Sequence, residues 1–175
     1  MTLADLTLER AARAAAYYAL ALRWQLSKCE EVRAWAELVA LRAAGDLPDL
    51  VVDLLDAPNA TVNELLALLD LYADWEAIEW APGIVLGRLS LALRTGDRSH
   101  PEALAVLRLA ADLQHPLADV AASHRHDYIL ATEAEAMDYD TVVNALRSWL
   151  ASFEEAAIDA RLRTPLVWDV LPPPS

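Results

Sequence analysis

Cysteine occurs once in the 175 residues, at Cys29, so no internal disulfide can form and no cysteine-based zinc or iron–sulfur site can be assembled. Glycine is confined to Gly45, Gly83, Gly87 and Gly96, and β-branched residues are sparse, which leaves little material for hairpins or a large sheet. Lysine is reduced to Lys28 against 13 arginines, a bias that reads as coding-DNA base composition and carries no chemistry. Long apolar runs are missing too, because charges interrupt every stretch before about 20 apolar residues, the length a membrane span needs. The first ten residues have no basic stretch followed by an apolar core and a small-residue cleavage site, so the expected compartment is the cytoplasm. There is no glycine-rich phosphate loop, no Gly-x-Ser-x-Gly elbow, no Cys–His pairing at a workable spacing and no Glu-x-x-His of the di-iron bundles. No enzyme activity, no metal and no cofactor is therefore expected.

What remains is an apolar fraction of 56%, rich in alanine and leucine, the residues that cost least to place in a helix. The length suits one domain with a core of its own. Helix starts are the clearest local signals, because a Ser or Thr with Glu three residues later can satisfy two orphan amides reciprocally. Three such pairs occur: Ser27 with Glu30, Thr61 with Glu64, and Ser99 with Glu102. The first opens a helix with Val32, Trp35, Ala36, Val39 and Ala43 on one face, and Gly45 stands where a left-handed cap is expected. The third places Ala103, Leu107, Ala110 and Gln114 along one side. Further helices are expected over residues 8–26 and 47–56, from Pro82 to about Arg94, and from Pro116 through His124 and Tyr128 toward Glu135. A last one begins after Asp140 as N-cap, with Val143, Leu146, Leu150, Phe153 and Ala157 on its buried face. The expectation is all-α: an irregular single-domain bundle of about eight helices over residues 1–164. A Pro-rich tail over residues 165–175 would be extended or docked as an arm.

Charge is distributed unevenly. The net charge is −13, with segment sums of +1 for residues 1–45, −9 for 46–81, +1 for 82–115 and −6 for 116–175. The second segment has nine acids and no base, so it cannot neutralise itself by the i,i+4 pairs that usually lace a solvated helix face. Within it Asp46, Asp49, Asp53 and Asp56 recur every three or four residues and form a stripe opposite Leu50, Val51, Leu54 and Leu55. Immediately downstream, Asp74, Trp75, Glu76, Glu79 and Trp80 interleave carboxylates with indoles in what reads as a segment between helices. Tryptophan is over-represented among the few residues that dominate interface energy, and a negative rim speeds encounter with a cationic partner. Asp49, Asp53, Asp56, Asp74, Trp75, Glu76, Glu79 and Trp80 are the candidate partner-binding residues. The competing account is that Trp75 and Trp80 plug the core and the acidity only keeps the chain soluble. Nucleic acid is disfavoured as a partner, since phosphate contacts need clustered bases and only Arg88, Arg94 and Arg98 approach a group.

A second constellation is Ser123, His124, Arg125, His126 and Asp127, with His100 and His115 upstream and Glu133, Glu135, Asp138 and Asp140 downstream. An His-Asp pair on a helix resembles the skeleton of the HD-type metal-dependent phosphohydrolases, which are all-helical, and would make His124, His126 and Asp127 the metal ligands. Against this, His124 and His126 on one helix lie roughly 200° apart and cannot share an ion. A histidine hydrogen-bonded locally, beside Asp127 and Tyr128, is the simpler account of His124.

The run Leu26-Ser27-Lys28-Cys29-Glu30-Glu31-Val32-Arg33-Ala34-Trp35-Ala36-Glu37, followed downstream by Asp127-Tyr128-Ile129-Leu130-Ala131 and a closing amphipathic helix, resembles small all-helical bacterial immunity proteins of polymorphic toxin systems. The resemblance implies a non-enzymatic protein that occupies the surface of a basic toxin. It agrees with the charge pattern in pointing to a basic protein partner and to neither nucleic acid nor membrane. The alternatives are the HD-like hydrolase and a self-associating chain that buries Trp75 and Trp80 in a homodimer.

Overall fold

A computed structural model of the chain describes residues 8–43, 45–112, 115–133, 137–164 and 166–168, the side chains of Trp75 and Pro116 lying outside the described set. The described residues form α1 (Leu8–Arg23), α2 (Cys29–Arg42), α3 (Asp49–Asp56), α4 (Val62–Tyr72) and α5 (Trp75–Thr95). These are followed by α6 (His100–Ala111), α7 (Pro116–Glu133), α8 (Tyr139–Ala151) and α9 (Glu154–Arg163). No strand occurs among them, and the fold is an all-α helical bundle. Two compact units make it up: residues to Pro82 together with those from Asp159, and residues Gly83–Ile158. The division falls inside α5 and inside α9.

In the first unit, α1 packs against α4, α2 against α3, and α3 against α4. Nearly every residue of α1 from Ala11 to Leu22 is buried, the pattern of a helix apolar all round. Tyr17, Tyr18 and Trp35 have no exposed surface; the tyrosine rings meet edge to face at 5.0 Å, and Tyr18 lies 5.6 Å from Trp35. Burying each such ring contributes about 1.5–3 kcal/mol. Their polar tips hold the chain beyond α9. The Trp35 indole donates to the Thr164 carbonyl at 3.3 Å, and the Val167 N–H donates to the Tyr18 hydroxyl at 2.8 Å. Leu166 and Trp168 are buried, so residues 166–168 form a docked arm; residues 169–175 of the expected tail lie outside the described set.

In the second unit α6 packs on α7 and α7 on α8, with Tyr128, Ala131, Val142 and Val143 forming a core against which Leu104 rests. Gly87 of α5 meets the junction of α8 and α9: a Cβ there would stand 2.3 Å from the Phe153 carbonyl oxygen and 2.6 Å from the Ala157 Cβ. Only glycine allows that approach of backbone to backbone.

Several helix boundaries differ from expectation for identifiable reasons. The capping pairs at Thr61/Glu64 and Ser99/Glu102 form: Glu64 accepts from the Thr61 N–H and Glu102 from the Ser99 N–H, each at 2.7 Å. The Ser27/Glu30 pair does not. Instead α2 starts at Cys29, and the Ser27 hydroxyl donates to buried Glu31. Ser27 is taken up by the turn that ends α1, where Gln25 adopts φ 58°, the Gln25 N–H reaches the Leu22 carbonyl and the Leu26 N–H reaches that of Ala21. This is a Schellman cap with glutamine in the left-handed position and buried Leu26 beyond it. Gly45 is not left-handed; α2 ends in extended backbone at Ala43.

The N-cap of α8 is Asp138, two residues before the expected Asp140, and it accepts from the Thr141 N–H at 2.8 Å. The expected last helix breaks at Ser152 and Phe153, which gives nine helices among the described residues where eight were expected. Gln114 and Glu135, placed at the expected ends of α6 and α7, lie outside the described residues.

Candidate functional site

The acidic segment begins with α3, whose N-cap is Pro48 and whose first residue is Asp49. A carboxylate in a first turn faces the positive end of the helix dipole, which accounts for Asp49 here, Glu64 in α4 and Glu76 in α5. Leu50, Val51 and Leu54 are buried and hold the helix on its apolar face. Asp46, Asp49 and Asp56 are exposed, whereas Asp53 turns toward α4 and accepts a hydrogen bond from the Tyr72 hydroxyl. That bond is the main reason the Tyr72 phenol is pushed up to about 12, with burial and the charges of Asp53 and Asp49 adding to it.

The segment from Asp74 to Trp80 is not a linker between helices. Asp74 caps α5 through the Ala77 N–H at 2.7 Å, and Trp75 to Trp80 are its first turns. Pro82 therefore falls inside the helix it was expected to begin. Proline has no N–H, so the Ile78 carbonyl lacks a partner four residues on. Glu76 and Glu79 are exposed. Trp80 is half-buried with the Arg13 guanidinium 5.8 Å from its ring centroid, a cation–π arrangement that already occupies one face of the indole. Whether Trp75 faces solvent or core lies outside the described residues.

The nine carboxylates of residues 46–81 thus divide. Asp70 pairs with Arg23 at 2.6 Å, Glu64 and Asp74 cap helices, and Asp53 holds Tyr72. Asp46, Asp49, Asp56, Glu76 and Glu79 are exposed and make no ion pair among the described residues. Asp56 is the last residue of α3, where the helix dipole opposes a negative charge and no base stands in the last turn. Helix electrostatics gives no reason for its presence.

Asp49 and Asp74 line a groove of about 290 Å³ that the sequence analysis did not anticipate. Leu8, Glu9, Ala11 and Ala12 of α1 line one side, and Pro48, Asp49, Leu50, Leu71, Tyr72 and Asp74 the other. Leu71 is 79% exposed and Leu8 81%. The available signal was the phase of α4: Leu65 and Leu69 keep the buried face, half-buried Tyr72 flanks it, and Leu71 falls off it.

The histidine constellation is placed differently. His124 does not bond locally; its ring is half-buried against Trp149, centroids 4.8 Å apart. Burial holds its pKa below the usual value, and the Asp127 charge offsets this only in part. His126 is exposed. His115 caps α7, its Nδ1 accepting from the Leu117 N–H at 3.2 Å. His100 opens α6 and is likewise held low, by burial first and then by the Arg147 charge. Among the described residues no three His, Cys, Asp or Glu side chains gather to hold an ion, so His124, His126 and Asp127 are not assembled as a metal centre. Nor is any described helix long and apolar enough to cross a membrane.

Comparison of the chain with protein-family models, curated proteins and solved structures yields no match.

Proposed function

We propose that this chain is a non-enzymatic, acidic interaction protein of the cytoplasm, most concretely an immunity-type inhibitor that masks a cationic protein partner such as a basic toxin. The observation that supports the reading is the set of exposed carboxylates at Asp46, Asp49, Asp56, Glu76 and Glu79, which no base of the described residues neutralises. A surface of one sign raises the encounter rate with an opposite charge and rejects anionic competitors. Trp80 contributes less than an open indole would, because Arg13 covers one face, and Asp53 and Asp74 contribute charge while serving the fold.

The test is affinity capture from the host lysate by the full chain, alongside a variant carrying Asp49→Asn, Asp56→Asn, Glu76→Gln and Glu79→Gln. The expected result is a basic protein retained by the native chain and lost by the variant. Retention should weaken steeply as the Debye length shrinks from about 30 Å at 0.01 M salt to about 10 Å at 0.1 M. Equal capture by both chains, or retention indifferent to salt, would remove the electrostatic reading.

A further inference from the structure

Resting on the reading above, we infer that the groove between the start of α1, the N-terminus of α3 and the end of α4 is where the partner inserts one cationic side chain, a lysine or arginine flanked by an apolar neighbour. The floor is hydrocarbon from Ala11, Ala12 and Leu50, and Leu8 and Leu71 stand on its rim largely in water. Exposed leucines beside a concave apolar surface lower their free energy when another apolar surface covers them.

The polar side chains lining the groove, Glu9, Asp49, Tyr72 and Asp74, turn acceptor oxygens to an occupant. Asp49 makes no ion pair among the described residues, and Asp74 spends Oδ1 on the Ala77 N–H. Glu9 is already paired with Arg13 at 2.8 Å, and the Tyr72 proton is directed to Asp53. An occupant must therefore bring donors and positive charge together with an apolar stem, which is the composition of a lysine or arginine side chain. A fully hydrated metal ion would gain nothing from the hydrocarbon floor, and an anionic or acceptor-only group would meet like charge. The volume, about 290 Å³, suits one long side chain and part of its neighbour, not a whole helix. The chain's own residues 1–7 carry one acidic side chain, Asp5, and no lysine or arginine, so they do not supply the side-chain cation.

The test is amide chemical-shift mapping of the ¹⁵N-labelled full chain with acetyl-Leu-Arg-Leu-amide, and with the same peptide bearing norleucine or glutamate in place of arginine. Shifts are expected at Ala11, Ala12, Leu50 and Leu71 with the arginine peptide. Affinity should be at least about tenfold weaker with norleucine, as loss of a charge-assisted contact implies, and the glutamate peptide should give no shifts. Leu71→Ser and Asp49→Asn should each weaken the arginine peptide, while Glu79→Gln, at an exposed carboxylate that does not line the groove, should not. Absence of binding, shifts confined to Asp46, Asp56 or Glu79, or equal response to all three peptides would overturn the groove assignment. If the groove fails while charge-dependent capture of a basic protein persists, the acidic-surface reading stands alone; if capture is indifferent to charge, that reading falls whatever the peptide does.

Discussion

Carboxylates keep different company in two regions of this molecule. In residues 83–158, several are tied to a neighbour. Glu154 accepts from Ser90 and pairs with Arg94, each at 2.7 Å, Glu102 holds Ser99 and reaches Arg98 at 3.4 Å, and Asp138 holds Thr141. Six arginines are interleaved with the acids of that stretch. In residues 46–81 there is no base at all, and Asp46, Asp49, Asp56, Glu76 and Glu79 stand in water without an ion pair among the described residues. A carboxylate with a donor beside it is explained by the fold. One without, at the end of a helix whose dipole repels it, costs stability and needs another reason. Residues 83–158 also hold exposed carboxylates without an ion pair among the described residues, at Asp112, Asp119, Glu133, Asp140 and Glu155, but there arginines stand between them in the chain, as they do not in residues 46–81.

The largest expected effect lies on the fold-building side. Gly87→Ala should destabilise by about 3 kcal/mol, because the new methyl collides with the Phe153 backbone and neither helix can yield without repacking. Gly83→Ala, one turn earlier, places its Cβ 3.5 Å from the Phe153 ring edge, an ordinary contact. It should gain about 0.5–1 kcal/mol, since a helical glycine gives up more chain entropy than alanine. Urea midpoints of the two variants decide it; equal shifts would mean that the close approach of α5 to the α8–α9 junction does not exist.

That approach also marks how far the sequence could be read. Signals contained within four residues were legible: Thr61 with Glu64 and Ser99 with Glu102 close as their spacing indicates. Ser27 carries the same signature and fails, because the left-handed Gln25 draws it into the end of α1 and brings it to Glu31 instead. Trp75 to Trp80 looked like a connector because Pro82 reads as a helix start. Asp74 captures the helix earlier, and the proline is absorbed at the expense of one hydrogen bond. The exposed part of the acidic stripe was visible from its three- and four-residue spacing, but the turn of Asp53 toward Tyr72 was not, since it depends on α4. The groove and Gly87 were invisible for the same reason: each is made by segments distant in sequence, and only the off-phase Leu71 hinted at either.

A middle-sized effect sharpens the comparison inside the acidic segment itself. Thr61→Ala removes the hydroxyl from a formed capping box and should cost about 1 kcal/mol. Asp56→Asn and Glu79→Gln remove charges that touch nothing described, so their thermal midpoints should stay level or rise as mutual repulsion is relieved. If either substitution lowers the midpoint as far as Thr61→Ala does, that carboxylate has a structural partner and leaves the set available for binding.

The smallest effect is a pH dependence that belongs to the second unit. His100 and His124 titrate below the usual histidine value in the folded chain, both mainly because burial disfavours the charged ring. Between the folded values and about 6.5 the unfolded chain binds more protons than the folded one, so stability rises with pH there and falls on acidification. The carboxylates held low by their caps, Glu64, Glu102 and Asp138, act in the same direction but in a lower window, beginning near their ordinary values of 4.5 and 3.8. The two contributions are therefore separable. Urea midpoints measured as the pH is lowered from 7.5 through about 6.5 should decline in the native chain relative to a His100→Gln/His124→Gln variant. Parallel curves throughout would show that the His124 ring against Trp149 is as free to charge as one in water.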